Sequence, residues 1–550
     1  MHALPFFAAL TLSWLPTPQD PPGPRGPDTD ACTSIMVSRG ASADGSTMIT
    51  YSADAPFQPK LLLVPGGTHE PSAMVDVAGW EDDRVSGKIP QAAHTYKVVG
   101  LMNEHQLTLG ETTTGGRREL RNPEGLLDYD ALMLLTLQRA KTAQEAIATI
   151  DALTREHGYC SSGETIAIAD VNEVWVMEII GRGPGLKGIL FVAARVPEGC
   201  ISASANMARI TTFPRNDPEN WRFSPDVVDF AQQKGFYDPA RDGEFSWRHA
   251  YHPNPTNLSK RGCGTRIWSI YRRAAPSREW PTDWHRGVAG AEDYPLFIQP
   301  DHKLGVRDVM GLMRDHYEGT PFDMTQGVDA GPFQSPVRFR ELSWKVDDAT
   351  YCWERPIATQ QAGFVMLGQC RGWLPDAVGG IYWFTPDDPY TSCFVPLYCG
   401  IDALPPAYTR GTYDEYSPDS AWWTFNFVSN LTYDRWSRVV PDVLAAQKDH
   451  EEWFLRRQAA VDQAAAALAG DPAALSRYLT EVAVGSGEAL FADWSALGNK
   501  IVSVHVDGFV KQDGGRSRGV GYSEEWRRRV VRERGAALAV PPEKVARQDY

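Results

Sequence analysis

Apolar and polar positions alternate in short runs over the first half of the chain, and helical spacing dominates near its end. Thr33 to Ser38 alternates and is rich in β-branched residues, as a strand would be, and Ser46 to Tyr51 does the same. Arg39 to Gly45 between them is turn chemistry, so a β-hairpin is expected to begin at Cys32. Tyr96 to Leu101 and Gln106 to Leu109 predict a second hairpin. Asp130 to Ala140 reads as an apolar-faced helix. A further helix starts at Thr142, with Glu145 completing a capping-box pattern, and ends near Gly158. Glu164 to Ala169 and Glu173 to Ile180 predict strands joined by Asp170-Val171-Asn172, followed by strands at Gly188 to Val196 and Ile201 to Ala205.

Residues 210–300 are rich in Pro, Trp, Arg and Asp and weakly periodic, which predicts long loops around a helix at Thr265 to Ala274. Val306 to Tyr317 reads as a helix, and Ala358 to Leu367 and Gly380 to Phe384 as strands. From Val439 to about Val482 the pattern is helical and Ala-rich, and the last fifty residues form a charged tail. Strands and helices come in blocks rather than in βαβ alternation. That favours an α+β fold with antiparallel sheets and segregated helices.

The 550 residues are 43% hydrophobic and 22% charged, an ordinary globular composition with room for a large core. The net charge of −15, with no basic run beyond Arg527-Arg528-Arg529, argues against nucleic acid as a partner. Leu4 to Leu15 is apolar but far shorter than the ~20 residues of a membrane span, so residues 1–15 read as a secretion signal, although without a basic start. No later segment is long and apolar enough to cross a bilayer, and a secreted or periplasmic protein is expected. Residues 16–30 contain six prolines and no large apolar residue, which marks a linker. Asn257-Leu258-Ser259 and Asn430-Leu431-Thr432 are glycosylation sequons, meaningful only in a eukaryotic secretory host.

Cys32 follows this linker. Cutting the Ala31–Cys32 bond would make it the new N-terminus, with a thiol nucleophile and a free α-amine on one residue. That pairing suffices for N-terminal-nucleophile (Ntn) amide hydrolysis with the amine as base. Two other readings of an early cysteine fit poorly. A lipoprotein anchor lacks the apolar residue before Cys32, and a papain-like cysteine opens a helix rather than a strand. There is no GxSxG, P-loop, HExxH or strand-linked GxGxxG motif, and no Cys/His cluster has zinc spacing, so neither a metal nor a cofactor is expected. With Cys32 set aside as a nucleophile, the other seven of the eight cysteines allow at most three disulfides; Cys393 and Cys399 flank a short segment and could pair.

Cys32-Thr33, Ala41-Ser42-Ala43-Asp44-Gly45-Ser46-Thr47-Met48 and Ala53-Asp54 together resemble the start of mature family C69 dipeptidases, a branch of the Ntn-hydrolase superfamily. The resemblance continues through Gly100 to Glu104, Gly163-Glu164, Ile168 to Asp170, Glu173 to Gly181, Ser204-Ala205-Asn206, Thr265 to Trp268, Arg314 to Thr320 and Ala358 to Gln361, and extends to about Gly508. It implies a four-layer αββα sandwich in a catalytic domain at 32–440, a propeptide or linker at 16–31, and a helical extension with a charged tail at 441–550. It implies a dipeptide or small amide substrate and maturation at Ala31–Cys32.

By the same resemblance, Asp54 would accept from the Cys32 α-amine and the Asn206 side-chain amide would donate to the oxyanion. A backbone N–H near Thr112 or Thr113 is a second oxyanion donor. Arg266 would sit near the thiolate and favour its charge. Glu111 is the candidate carboxylate for a substrate amine. Many relatives carry arginine where Tyr51 stands, which leaves Arg266 as the main expected cation. His316 and Glu318, two residues apart at the end of an expected helix, should point in different directions and be structural. The alternatives are an amidase of the penicillin V acylase or choloylglycine hydrolase type, and a catalytically silent binding homologue. Homo-oligomerisation is open.

Overall fold

The structure, a computed structural model, describes residues 31–54, 60–79, 85–253, 255–337, 343–505, 507–512, 514 and 516–540. The expected signal at 1–15 and all of the linker except Ala31 lie outside the described residues. Along the chain the main strands are β1 (Ala31–Val37), β2 (Thr47–Asp54), β3 (Leu63–Val64), β4 (Val98–Val99), β5 (Met102–Asn103), β6 (Thr108–Gly115) and β7 (Gly163–Ala169). They continue as β8 (Val174–Gly181), β9 (Ile189–Arg195), β10 (Ile201–Ser204), β11 (Trp221–Phe223), β12 (Phe364–Cys370), β13 (Gly380–Pro386) and β14 (Val395–Tyr398).

These strands form a six-stranded sheet, β10-β1-β2-β12-β13-β14, and an eight-stranded sheet, β11-β9-β8-β7-β6-β5-β4-β3, both antiparallel. β1 and β2 contact β6 of the other sheet. The approach is close: a Cβ added at Gly110 would stand 2.8 Å from Tyr51 Cβ, and one at Gly368 would stand 2.5 Å from the Thr108 hydroxyl. Glycine is required there by space.

Polar and apolar residues alternate along β2, yet every residue of it is buried. Hydroxyls make this tolerable. Ser52 Oγ accepts from the Thr33 N–H at 2.9 Å and Thr50 Oγ1 from the Ile35 N–H at 2.8 Å, so the polar positions carry their own partners into the core. The Asp170 turn is a second local solution. Its carboxylate accepts from the Asn172 and Glu173 N–H groups and also from Ala143 N, which ties the β7–β8 turn to the start of helix α2.

The helices are α1 (Tyr129–Leu137), α2 (Ala143–His157), α3 (Thr265–Ala274), α4 (Val306–Leu312), α5 (Ala421–Asp434), α6 (Trp436–Ala467) and α7 (Pro472–Val504), besides shorter ones. Thr142 caps α2, accepting from Glu145 N at 3.2 Å, as the sequence predicts. α2 contacts β7, β8 and β9 of the eight-stranded sheet, and α5 and α7 contact β13 and β14 of the six-stranded one. One apolar cluster runs through both sheets and these helices. The expected domain boundary at 440 falls inside α6.

Several expectations are corrected. α4 ends at Leu312 rather than Tyr317, because Met313 closes it and Tyr317 takes a left-handed φ of 66°. The strand expected from Ala358 begins only at Phe364, because Thr359 to Ala362 makes a turn. The helical tract expected from Val439 starts earlier and breaks near Gly470, where Asp471 caps α7 and Pro472 occupies its first turn. All eight cysteines are free thiols; Cys393 and Cys399 do not pair, Cys393 lying against Gln447 and Cys399 against Asp376. His316 and Glu318 do meet, through Nδ1 to Oε1 at 3.2 Å, because the left-handed Tyr317 folds the chain between them.

Candidate active site

Cys32 is the second residue of β1, opposite Ala53 of β2, and is 3% exposed. Its backbone is gripped from two sides. The N–H donates to Asn206 Oδ1 at 2.9 Å, and the carbonyl accepts from Arg266 Nη1 at 2.7 Å. Its thiol donates to Glu111 Oε1 at 3.4 Å.

Asn206 lies just beyond β10 at φ 56°, a left-handed conformation that asparagine accepts better than most residues. Its Oδ1 takes two donors, Cys32 N and Arg266 Nη2, which fixes the amide orientation, since a flipped Nδ2 would face both donors. One Nδ2 hydrogen goes to Thr113 O at 2.9 Å.

Arg266 projects from the first turn of α3 and is 1% exposed. Nε donates to Gly262 O, Nη1 to Cys32 O and Thr33 Oγ1, and Nη2 to Ala205 O and Asn206 Oδ1. All five guanidinium hydrogens are thus spent on neutral oxygens. Arg266 lies beside Cys32, as expected, with its hydrogen bond to that residue made at the carbonyl.

Asp54, at the end of β2, is 1% exposed, and its Oδ2 stands 3.4 Å from Arg355 Nη2. Oδ1 is buried with no hydrogen-bond partner among the described residues. Burial pushes the carboxyl up to about 6, although Arg355 and Arg266 pull the other way. Desolvation outweighs both arginines and a hydrogen bond from Ser52. Arg355 is the residue the sequence did not reveal. Its one hint was Tyr51, whose arginine counterpart in many relatives is missing here; a cation enters instead from 301 residues away.

Tyr51 donates its hydroxyl to Glu111 Oε1 at 2.9 Å. Glu111 lies on β6, fully buried, with Thr112 and Thr113 following it opposite Thr165 and Glu164 of β7. Burial and the neighbouring Glu111 raise the Glu164 carboxyl well above its ordinary range, and the two carboxyls share a hydrogen bond. Burial, then Glu111, then Asp54 push the Cys32 thiol up, against a small pull from the Asp54 backbone N–H. In this state, with its nitrogen an amide, the thiol is neutral. Among the described residues no group of three or more His, Cys, Asp and Glu side chains could hold a metal ion, and no helix is long and apolar enough to cross a membrane.

The family model that matches residues 31–449 is that of peptidase family C69. The chain belongs to this family. Curated relatives include a "Probable dipeptidase" of Salmonella dublin, 26% identical over 402 residues (69% of this chain, 84% of the relative). Another "Probable dipeptidase", from Latilactobacillus sakei, is 23% identical over 481 residues (84% and 93%). A "Dipeptidase" of Bifidobacterium longum is 26% identical over 442 residues (73% and 77%). This C69 member spans most of each relative. Its fold gathers Cys32, Asp54, Asn206 and Arg266 around one point. Thr113 adjoins that point through Asn206 and Glu111 through the thiol, with Thr112 between them on β6.

Proposed function

We propose that this C69 peptidase is a cysteine dipeptidase with the Ntn-hydrolase layering, exported and matured by removal of everything before Cys32. The double grip on the Cys32 backbone carries this reading. Cutting the Ala31–Cys32 bond would turn the nitrogen already held by Asn206 Oδ1 into an amine, with Asp54 on the neighbouring strand carrying a buried oxygen that has no hydrogen-bond partner among the described residues. A protonated α-amine there would offset the burial and the two carboxylates that push the thiol up. An α-amine near pKa ~7.7–8 and a thiol near ~8.5 are closely matched, so proton transfer between them costs little.

The thiolate then attacks the peptide carbonyl, the leaving amine departs, and water hydrolyses the thioester. The second Nδ2 hydrogen of Asn206 and the Thr112 or Thr113 N–H are the candidate oxyanion donors. The names of the relatives point to dipeptides as substrates.

The test is the intact mass of protein expressed with its leader, followed by a dipeptide hydrolysis assay. A chain beginning at Cys32 that turns over dipeptides is expected. An exported chain that keeps residues before Cys32 would lack the amine base and overturn the mechanism.

A further inference from the structure

The Cys32 nitrogen is here an amide within β1 and cannot take the thiol proton near neutral pH. Cleavage before Cys32 therefore needs another base. The thiol already donates to Glu111 Oε1 at 3.4 Å, and Tyr51 donates to the same oxygen at 2.9 Å. Arg266 and Asn206 hold the Cys32 carbonyl and N–H, so the residue is fixed except at its sulfur.

We propose that Glu111 is the base for self-cleavage of the Ala31–Cys32 bond, an inference that rests on the N-terminal-cysteine reading above. The thiol proton passes to Glu111 Oε1. The thiolate forms a C–S bond to the Ala31 carbonyl carbon, and Glu111 returns the proton to the Cys32 nitrogen as the C–N bond breaks. Water then hydrolyses the thioester, its hydroxyl going to the Ala31 acyl group and its hydrogen to the sulfur. The products are a free carboxylate on the released segment and a Cys32 with both thiol and amine. From then on the amine serves as base, so each of two bases works in one state of the chain.

The titratable groups facing Glu111 are Cys32 from β1, Tyr51 from β2, Glu164 from β7, and Tyr159 just before β7. Burial and Glu111 push the Glu164 carboxyl up, which favours Glu164 as the donor of that pair and Glu111 as the acceptor.

The full chain is made by cell-free synthesis and quenched at intervals, and the fraction starting at Cys32 is read by intact mass at several pH values. Glu111→Gln should slow cleavage by at least ~100-fold. Its residual rate should climb about tenfold per pH unit, because hydroxide must now take the thiol proton. Wild type should level off once Glu111 is ionised. Tyr51→Phe keeps the carboxylate but removes one donor, so its acid limb should move up by on the order of one pH unit; it also serves if Glu111→Gln does not fold. Cleavage of Glu111→Gln at the wild-type rate overturns the proposal, as does slowing with an unchanged pH profile, or an unmoved limb in Tyr51→Phe. A wild-type chain that never starts at Cys32 sinks the N-terminal-cysteine reading itself.

Discussion

Two buried arginine–carboxylate contacts in this molecule differ in completeness. At the seam between the six-stranded sheet and α6, Arg371 donates to Gly379 O and Val378 O and grips Asp462 with both nitrogens, at 2.5 and 3.1 Å. Tyr398 adds a further donor to Asp462. At the candidate site, Arg355 reaches Asp54 once, at 3.4 Å, and the other Asp54 oxygen has no hydrogen-bond partner among the described residues. The first contact is finished and holds helix to sheet. The second is incomplete, which suits the proposed release of an amine at Cys32. An unsatisfied buried carboxylate costs stability, and it is tolerated where a cation is to arrive.

The sharpest way to break this comparison is to remove the nucleophile. Cys32→Ser should lower dipeptide turnover by at least ~10³-fold while the melting temperature stays within about 3 °C of wild type, read by steady-state kinetics and calorimetry. A large melting shift would make Cys32 a packing residue like the other buried thiols. Arg371→Ala should do the reverse. It strands the Asp462 carboxylate, and denaturant titration should show a loss of about 3–5 kcal/mol.

Asp54→Asn should cost turnover on the order of 10²-fold, because the amine loses its acceptor. Its effect on stability depends on pH. The folded carboxyl, near 6, lies above its unfolded value, so the stability it lends is fully present below about pH 4 and is lost as pH rises through 6. In an uncut Cys32→Ala background, Asp54→Asn should therefore flatten the fall in melting temperature between pH 4 and about 7. An effect of the same sign on stability, spread over a wider pH range, is expected at Asp387, pushed up to about 8 by burial and lying outside the site. Asp387→Asn should flatten the fall between pH 4 and about 8 without altering turnover by more than about twofold.

The local rules were legible where a residue's partner lies close in sequence. The Thr142 cap, the Asp170 turn and the helix Thr265–Ala274 fall where the sequence puts them. So does the hairpin that places Cys32 on the second residue of a strand. Periodicity erred past Leu312, where the helix stops short of the expected Tyr317, and the left-handed Tyr317 then brings His316 onto Glu318.

The residue chemistry by itself determined the family to which the chain belongs, the candidate nucleophile and the strand that carries it, because each is written in short contiguous runs. Tertiary structure alone decided what surrounds the thiol. It brought Glu111 from 79 residues away and Asn206 from 174. It placed Arg266 on the Cys32 carbonyl, 234 residues on, and Arg355 beside Asp54. These contacts depend on how two sheets stack, down to the missing Cβ of Gly110, and no local pattern along the chain encodes a distance between sheets.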